Sequence, residues 1–315
     1  MTEQTYKFYT GIDVSKYKLD VKISNNNDLL QVANNEIGLK ELIKQLPNKK
    51  NSLIVLEASG GYEQLAANHL RSKKFKVAIV NAKRVRDFAK ASGKLAKTDS
   101  IDANVIMAFA KAFNPIPQAS STAEETERLN YLNRRSQLVK MIAREKQYLE
   151  KSPKDFHRDI QKHIKYLEKE LAKLEGLLKM LIKKDPELKN KVERLDDIKG
   201  VGEVTAMNIL LEMPELGHLT PKEAAALAGV APYNRDSGQM KGKREIWGGR
   251  VPVRSALYMA ILTAIKFNPL IKRFYDRLIQ KGKLKKVAMV ACMRKLIIIM
   301  NAMIRDNTLW QPKIK

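Results

Sequence analysis

Four acidic residues and one serine stand where they could do chemistry. Asp13 closes the strand-like run "KFYTGIDVS", and Glu57 ends the apolar run in "VLEASGG". If the two runs pair as neighbouring strands, both carboxylates project at one sheet edge, beside glycines that leave room for a ligand. Asp99 and Asp102 in "KTDSIDAN" are three apart, which puts them on one face of a helix start. Converging carboxylates repel, and two divalent metals are the usual resolution in phosphoryl-transfer chemistry. Oxygen-only ligands favour Mg²⁺ or Mn²⁺. Plainer alternatives stand beside this: Asp13 reads as a turn residue, and Asp99 with Asp102 as a cap plus a first-turn acid complementing the helix dipole. Glu57 is harder to dismiss, because a glutamate ending an apolar strand needs a partner or a metal. Ser237 lies in "APYNRDSGQMKGKR", a loop of turn formers and bases. A serine hydroxyl is a poor nucleophile unless a base or metal assists it, and no histidine is near it in sequence.

The elements that must position these residues follow a recognisable order. "KFYTGIDVS", "KLDVKISN" and "LLQVANN" predict a three-strand meander, the second alternating Leu19, Val21 and Ile23 with polar residues. A helix "EIGLKELIKQL" follows behind Asn34 and Asn35 as candidate caps, then "SLIVLEA" as a strand covered on both faces. A helix over about 63–73, the strand "KVAIVNA" and a helix starting near Thr98 complete the set. Three strands followed by alternating helix and strand is the order of a ribonuclease-H-like sheet.

"FNPIPQAS" breaks the pattern with two prolines and predicts a linker. Beyond it Ile160, Ile164, Leu167, Leu171, Leu174, Leu178 and Leu181 are spaced alternately four and three apart, a heptad seam that predicts a coiled coil within the chain or between protomers. After Pro186, "LDDIKGVGEVTAMNILLEM" has the form of a helix-hairpin-helix, in which Gly200 and Gly202 would turn backbone N–H groups toward a phosphate. The fold class expected is α/β plus α in three parts: a ribonuclease-H-like or RuvC-like domain over 1–118, a helical coiled-coil region over 119–190, and a mainly helical C-terminal domain over 191–315.

The charge narrows the partners. Lys and Arg number 59 against 34 acidic residues, a net +25 in 315 residues, which implies a polyanion and nucleic acid first. Residues 71–97 carry +9 and residues 240–286 carry +11, so two windows flanking the acid pair and the serine hold most of the excess. They read as tracks for phosphate backbone, with Lys83, Arg84, Arg86 and Lys97 in the first and Lys241, Lys243, Arg244, Arg250 and Arg254 in the second, next to Arg235. A membrane is the second choice, but the best apolar span, "VAMVACMRKLIIIMNAMI", is split by Arg294 and Lys295. The N-terminal residues carry no secretion signal, and the single cysteine, Cys292, suits a reducing cytoplasm without disulfides. The four histidines are scattered and indicate no zinc site.

The order Asp13, Glu57, Asp99, Asp102, then "LAGVAPYNRDSG" and "GGRVPVRSAL", resembles the DEDD insertion-sequence transposases, which are related to the Piv-type invertases and include bridge-RNA-guided recombinases. The likeness covers nearly the whole chain, although "GGRVPVR" departs from the commoner Gly, short spacer, Leu-Arg pattern around Arg250 and Arg254. The resemblance implies that Asp13, Glu57, Asp99 and Asp102 hold Mg²⁺ or Mn²⁺, two ions, and that Ser237 attacks the scissile phosphate and becomes joined to the DNA end. Arg235, Lys241 and Arg244 would neutralise the developing charge. It further implies DNA as substrate, a structured guide RNA, a homo-oligomer (dimer or tetramer) and recombination of an element with its target. Two other readings stay open: a RuvC-like junction resolvase using metal-activated water, and a non-enzymatic nucleic-acid-binding protein.

Overall fold

The computed structural model describes residues 6–93, 99–118, 122–234, 242 and 244–311, with the side chains of 99–101 outside the description. The chain forms two compact units, Met1–Thr122 and Ala123–Lys315.

In the first unit, β1 (Phe8–Val14), β2 (Lys18–Ile23) and β3 (Leu29–Ala33) form the expected antiparallel meander. α1 (Glu36–Gln45) starts at Asn35, whose side chain accepts from the Gly38 N–H at 2.9 Å. β4 (Ser52–Glu57), α2 (Glu63–Ser72), β5 (Lys76–Val80), α3 (Ala82–Ala91) and α4 (Asp99–Phe113) follow. Strand order is β3-β2-β1-β4-β5, with β1 parallel to β4 and β4 parallel to β5.

Both faces of this sheet are covered, and strand alternation assigns each side chain to one of them. Ile12, Val14, Leu19, Val21, Ile54 and Leu56 pack with Leu39 and Leu42 of α1 and Ala66, Ala67 and Leu70 of α2. On the other face Tyr9, Leu53, Val55 and Ala78 pack with Val85 and Ala89 of α3 and Val105, Ile106 and Phe109 of α4. The helix α3 was not anticipated from the sequence, where its lysines and arginines read only as a charge track. Its signal is the spacing of Val85, Phe88 and Ala89, with Asn81 as the cap accepting from the Lys83 N–H at 2.8 Å.

The second unit is helical apart from one short ribbon. α5 (Ala123–Lys151) and α6 (Lys154–Lys183) are joined by Ser152 and Pro153. The ion pairs Arg135–Glu175 and Lys146–Glu168 advance along α5 as they recede along α6, so the two helices are antiparallel. The heptad seam is used here: Ile164, Leu167 and Leu178 are buried, and Leu167, Leu171 and Leu174 pack with Leu138 and Ile142 of α5.

The remaining core gathers α7 (Pro186–Asp196), α8 (Glu203–Glu212), α9 (Pro221–Leu227), α10 (Val251–Phe267), α11 (Pro269–Gln280) and α12 (Lys285–Arg305). By length and composition α12 could cross a membrane, which differs from the sequence expectation that Arg294 and Lys295 exclude this. It is a core helix instead. Cys292, Met293, Leu296, Ile297 and Met300 are buried, and Asn301 accepts from the Gly217 N–H at 2.8 Å and donates to the Leu219 carbonyl at 2.7 Å. Lys295 and Arg277 both lie over the Phe274 ring, at 4.7 and 5.2 Å from its centre.

Candidate active site

The candidate carboxylates are placed by strand register. Ile12 of β1 is paired with Leu56 of β4, so Asp13 and Glu57, one residue further along each parallel strand, are neighbours at the same sheet edge. Ile12 and Leu56 belong to the α1–α2 face, so Asp13 and Glu57 belong to the face covered by α4.

The helix reaches this edge because of Gly11. A Cβ on Gly11 would fall 2.6 Å from the Ala103 carbonyl oxygen and 2.8 Å from the Met107 Cα, so α4 lies directly on the β1 backbone. Asp102 immediately precedes Ala103, and α4 starts at Asp99. Asp13, Glu57 and Asp102 are each half-buried. Among the described residues no group of three or more His, Cys, Asp or Glu side chains stands together as a metal cluster. The donor set still fits a hard divalent cation: it is all carboxylate, two of its members are brought side by side by the sheet, and a third stands on the helix pressed against Gly11.

Sequence reasoning passed over a fifth acid. Asp20 of β2 is the cross-strand partner of Asp13 and is 2% exposed. It accepts from Gln31 Nε2 at 2.7 Å and faces Lys18 Nζ at 3.4 Å. Gln31, Asp20 and Asp13 thus form one rung across the sheet, and extending the β1–β4 register by one residue brings Glu57 to its end. Alternation gave no hint of it, because "KLDVKI" makes Asp20 look like an outward polar residue.

The loop after Glu57 is organised by Glu63, which is 5% exposed. Its Oε2 accepts from the Ser59 N–H at 3.0 Å, the Ser59 hydroxyl at 3.0 Å and the Gly61 N–H at 2.9 Å. Burial pushes its acidity down, but the backbone N–H groups of Glu63, Ser59 and Gly61 outweigh it and hold the carboxyl below its ordinary 4.5. A depressed folded pKa contributes stability above the unfolded value and loses it as pH falls through the folded one. Glu63→Gln is therefore expected to cost about 1–2 kcal/mol at neutral pH, where donors lose a charged acceptor. The gap to the wild type should narrow as pH falls below the ordinary 4.5 and close once pH is under the lowered folded pKa, where the wild type is itself protonated. Urea unfolding of both proteins at pH 7 and pH 3.5 checks this, and a gap that widens in acid would refute it.

The basic residues sort by exposure. On α3, Lys83, Arg84 and Arg86 are exposed, while Val85 and Ala89 face the sheet. Arg71, counted in the same track from sequence, is 9% exposed and donates to Gln118 Oε1 at 3.0 Å, so its charge serves the interior. Arg244 is exposed. Arg250 instead grips Glu215, with Nη1 to Oε2 at 2.8 Å and Nη2 to Oε1 at 2.6 Å. Arg254 donates to the Gly248 carbonyl at 2.6 Å.

Gly200, with φ +100°, has a structural reason to be glycine, since a Cβ there would lie 2.6 Å from the Ala264 Cα of α10. At the same turn the Asp196 carboxylate lies near the backbone of Glu203, the first residue of α8; burial and the Glu203 charge push its pKa up, and the Glu203 N–H works against them. An internal carboxyl group thus already occupies part of that helix start. Around it lies an open cleft of about 650 Å³, lined by Asp197, Lys199 and Gly202 on one side and Met259 and Thr263 on the other.

Ser237, Arg235, Lys97, Lys241 and Lys243 lie outside the described residues, as does the Asp99 side chain. The described ends of the serine segment are paired: β6 (Pro232–Tyr233) is antiparallel to β7 (Glu245–Ile246).

A mixed five-stranded sheet with carboxylates at one edge, followed by a strongly basic helical unit, suits an enzyme acting on nucleic acid, and the family comparisons give the class: a DNA transposase or recombinase. Residues 10–153 match the DEDD-type IS110 transposase family and residues 192–276 match the transposase IS116/IS110/IS902 family, and on these matches the chain belongs to the IS110-type transposases. It is 28% identical over 318 aligned positions to the pilin gene-inverting protein of Moraxella bovis, covering 98% of this chain and 99% of that protein. The pilin gene-inverting protein of Moraxella lacunata is also 28% identical over the same span. An uncharacterized 43.6 kDa protein of insertion element IS110 from Streptomyces coelicolor is 27% identical over 122 residues, 38% of this chain and 30% of that protein. Membership implies DNA as a partner and dependence on a divalent metal.

Proposed function

We propose that this transposase recombines an insertion element with its target through Mg²⁺-dependent cleavage in which Ser237 is the nucleophile and a structured bridge RNA selects the DNA. The observation that carries the metal-dependent half is the register placing Asp13 beside Glu57 under the start of α4. The strand order supports a ribonuclease-H-like, RuvC-like sheet. In this reading Asp13, Glu57, Asp99 and Asp102 hold Mg²⁺, or Mn²⁺, as a pair of ions. When bound, such ions polarise a phosphoryl oxygen and stabilise charge on the leaving oxygen.

The chain's own residues do the rest. The Ser237 oxygen forms a bond to phosphorus, the bond from phosphorus to one deoxyribose oxygen breaks, and that oxygen leaves as a hydroxyl with the proton given up by the serine. The reverse exchange onto another strand's hydroxyl rejoins DNA without loss of bond energy. Arg235, Lys241 and Arg244 offset the phosphate's charge, with Lys243 beside them. The exposed α3 residues Lys83, Arg84 and Arg86, with Lys97, give sequence-independent phosphate contact. Gly202 leaves the α8 start open on one side, but phosphate there would compete with Asp196, so α3 is the stronger track. The carboxylates and the serine belong to different units, which favours a homo-oligomer in which copies share sites.

Incubating Ser237→Ala with junction DNA and Mg²⁺ tests the nucleophile. No protein-linked DNA and no strand cleavage is expected. Cleavage persisting without an adduct would replace the serine with metal-activated water, as in a junction resolvase. Sequencing RNA that copurifies with the protein tests the guide, and absence of a discrete species would move the reading toward protein-read inversion.

A further inference from the structure

The Glu215 carboxylate forks onto the guanidinium of Arg250, which keeps about a third of its surface exposed, and the charge of Glu212 acts on it as well. Besides its fork to Glu215, Nη1 donates to the Glu212 carbonyl at 2.7 Å. The side chain of Glu212 is half-buried close by; burial pushes its pKa up, and the charge of Arg250 pulls it back. Glu215 and Arg250 hold each other charged: the Arg250 hydrogen bond lowers the carboxyl's pKa and the Glu215 hydrogen bond raises the guanidinium's. An incoming phosphate would have to share this fork with one carboxylate and come up against another, an arrangement that repels it.

Arg250 also sits at a mechanical junction. It is the last residue of the link between the ribbon strand β7 and helix α10, and its own N–H donates to the Leu227 carbonyl at the end of α9 at 2.7 Å. One residue earlier, Gly249 crosses Gly229 so closely that a Cβ would collide with the Gly229 backbone and lie 2.9 Å from the Ala226 carbonyl oxygen. Arg254, one turn into α10, donates to the Gly248 carbonyl at 2.6 Å and to that of Gly229 at 3.4 Å. On the entering side, the N–H groups of Val230 and Ala231 both donate to the Ala225 carbonyl, at 2.9 and 3.1 Å. The chain that enters β6 and the chain that leaves β7 are therefore pinned to each other and to α9, with the Arg250–Glu215 fork tying the leaving chain to the turn after α8.

We propose that Arg250, with Glu215, is a positioning pair that fixes the root of the β6–β7 ribbon, from which Ser237 is carried, and that Arg250 is not a phosphate contact. The proposal rests on the reading of Ser237 as the nucleophile. A fork of this kind suits the task, since two parallel charge-assisted hydrogen bonds fix direction as well as distance. The bulk of the helical core does not depend on it, because Arg250 and Glu215 lie at its margin, with side chains 32% and 42% exposed.

Full-length Arg250→Gln, Glu215→Gln and the exchanged pair Arg250→Glu with Glu215→Arg are compared for junction-DNA affinity across salt, melting temperature, and single-turnover formation of protein-linked DNA. Each Gln variant is expected to slow adduct formation on the order of tenfold or more, the scale of a small misplacement of a reacting group. Affinity and its salt dependence should stay at wild-type values, and the exchanged pair should recover part of the rate. A phosphate contact makes the opposite demand: Arg250→Gln would reduce the slope of log affinity on log salt by about 0.9, and Glu215→Gln, by freeing the guanidinium, would tighten binding. That pattern, or wild-type adduct rates in folded Gln variants, overturns the proposal. If Arg250→Gln fails to fold, the near-isosteric Glu215→Gln decides alone. Ser237→Ala run in parallel separates the two claims: an adduct that survives it refutes the serine reading, whereas loss there with unchanged Gln variants refutes only the positioning pair.

Discussion

Asp13→Asn is expected to slow single-turnover DNA cleavage by about three orders of magnitude while leaving junction-DNA affinity within about twofold. The size follows from what a correctly held metal contributes, several kcal/mol of charge stabilisation, at about 1.4 kcal/mol per tenfold in rate. Asparagine keeps the shape of the side chain at the end of β1 but supplies a neutral oxygen where a hard cation requires an anionic one. The fold should not notice. Asp13 is half-buried at a sheet edge and stands across the pair from the buried Asp20, so removing its charge removes one like-charge opposition. A melting temperature within about 2 °C of the wild type is therefore expected. Divalent-metal titration gives the second readout: Mn²⁺ should raise the melting temperature of the wild type and not of the variant. Wild-type cleavage by Asp13→Asn, at any Mg²⁺ concentration, would remove the first strand from the site altogether.

What could be read from sequence, and what could not, divides along physical lines. The sheet was legible because its strands advertise themselves: "SLIVLE" is a continuous apolar run, and all its residues but Glu57 are buried between two helical layers. Once the strands are known, the pairing of Asp13 with Glu57 follows from parallel register, which needs no side-chain information. α3 is hard to see in sequence because charge dominates "AKRVRDFAKA", while the spacing of its few apolar residues carries the structure. Asp20 was missed because alternation says which residues share a face but not whether a helix will cover that face. Arg250 reads as a phosphate contact because it lies in a basic window, and its ion-pair partner Glu215 is 35 residues away, so no local spacing rule shows the pair. α12 shows the same limit from the apolar side, since a core helix and a membrane span can have the same composition.

The tightest link between fold and site is the absence of a side chain at Gly11, and Gly11→Ala should break it. The added methyl would meet the Ala103 carbonyl oxygen at 2.6 Å and the Met107 Cα at 2.8 Å. Both are helix backbone, so no rotamer change can relieve the clash, and α4 must move off β1 as a body. Doing so loosens the contacts of Val105, Ile106, Phe109 and Ala110 with Tyr9, Leu53 and Val55. Overpacking against an unyielding neighbour costs about 3 kcal/mol, which urea unfolding of the full chain would read directly. The first turn of α4, with Asp99 and Asp102, moves with the rest of the helix, so cleavage should fall about a hundredfold even in the fraction that remains folded. Gly176→Ala is the matched control. It adds the same methyl in the interior of α6, where nothing lies within 4 Å, and is expected to stabilise by about 0.5–1 kcal/mol through helix propensity alone. Opposite signs for the two substitutions would confirm that close seating of α4, and not glycine as such, holds the acidic edge together. A Gly11→Ala protein with wild-type stability and cleavage would show that α4 does not rest on β1 in the working enzyme.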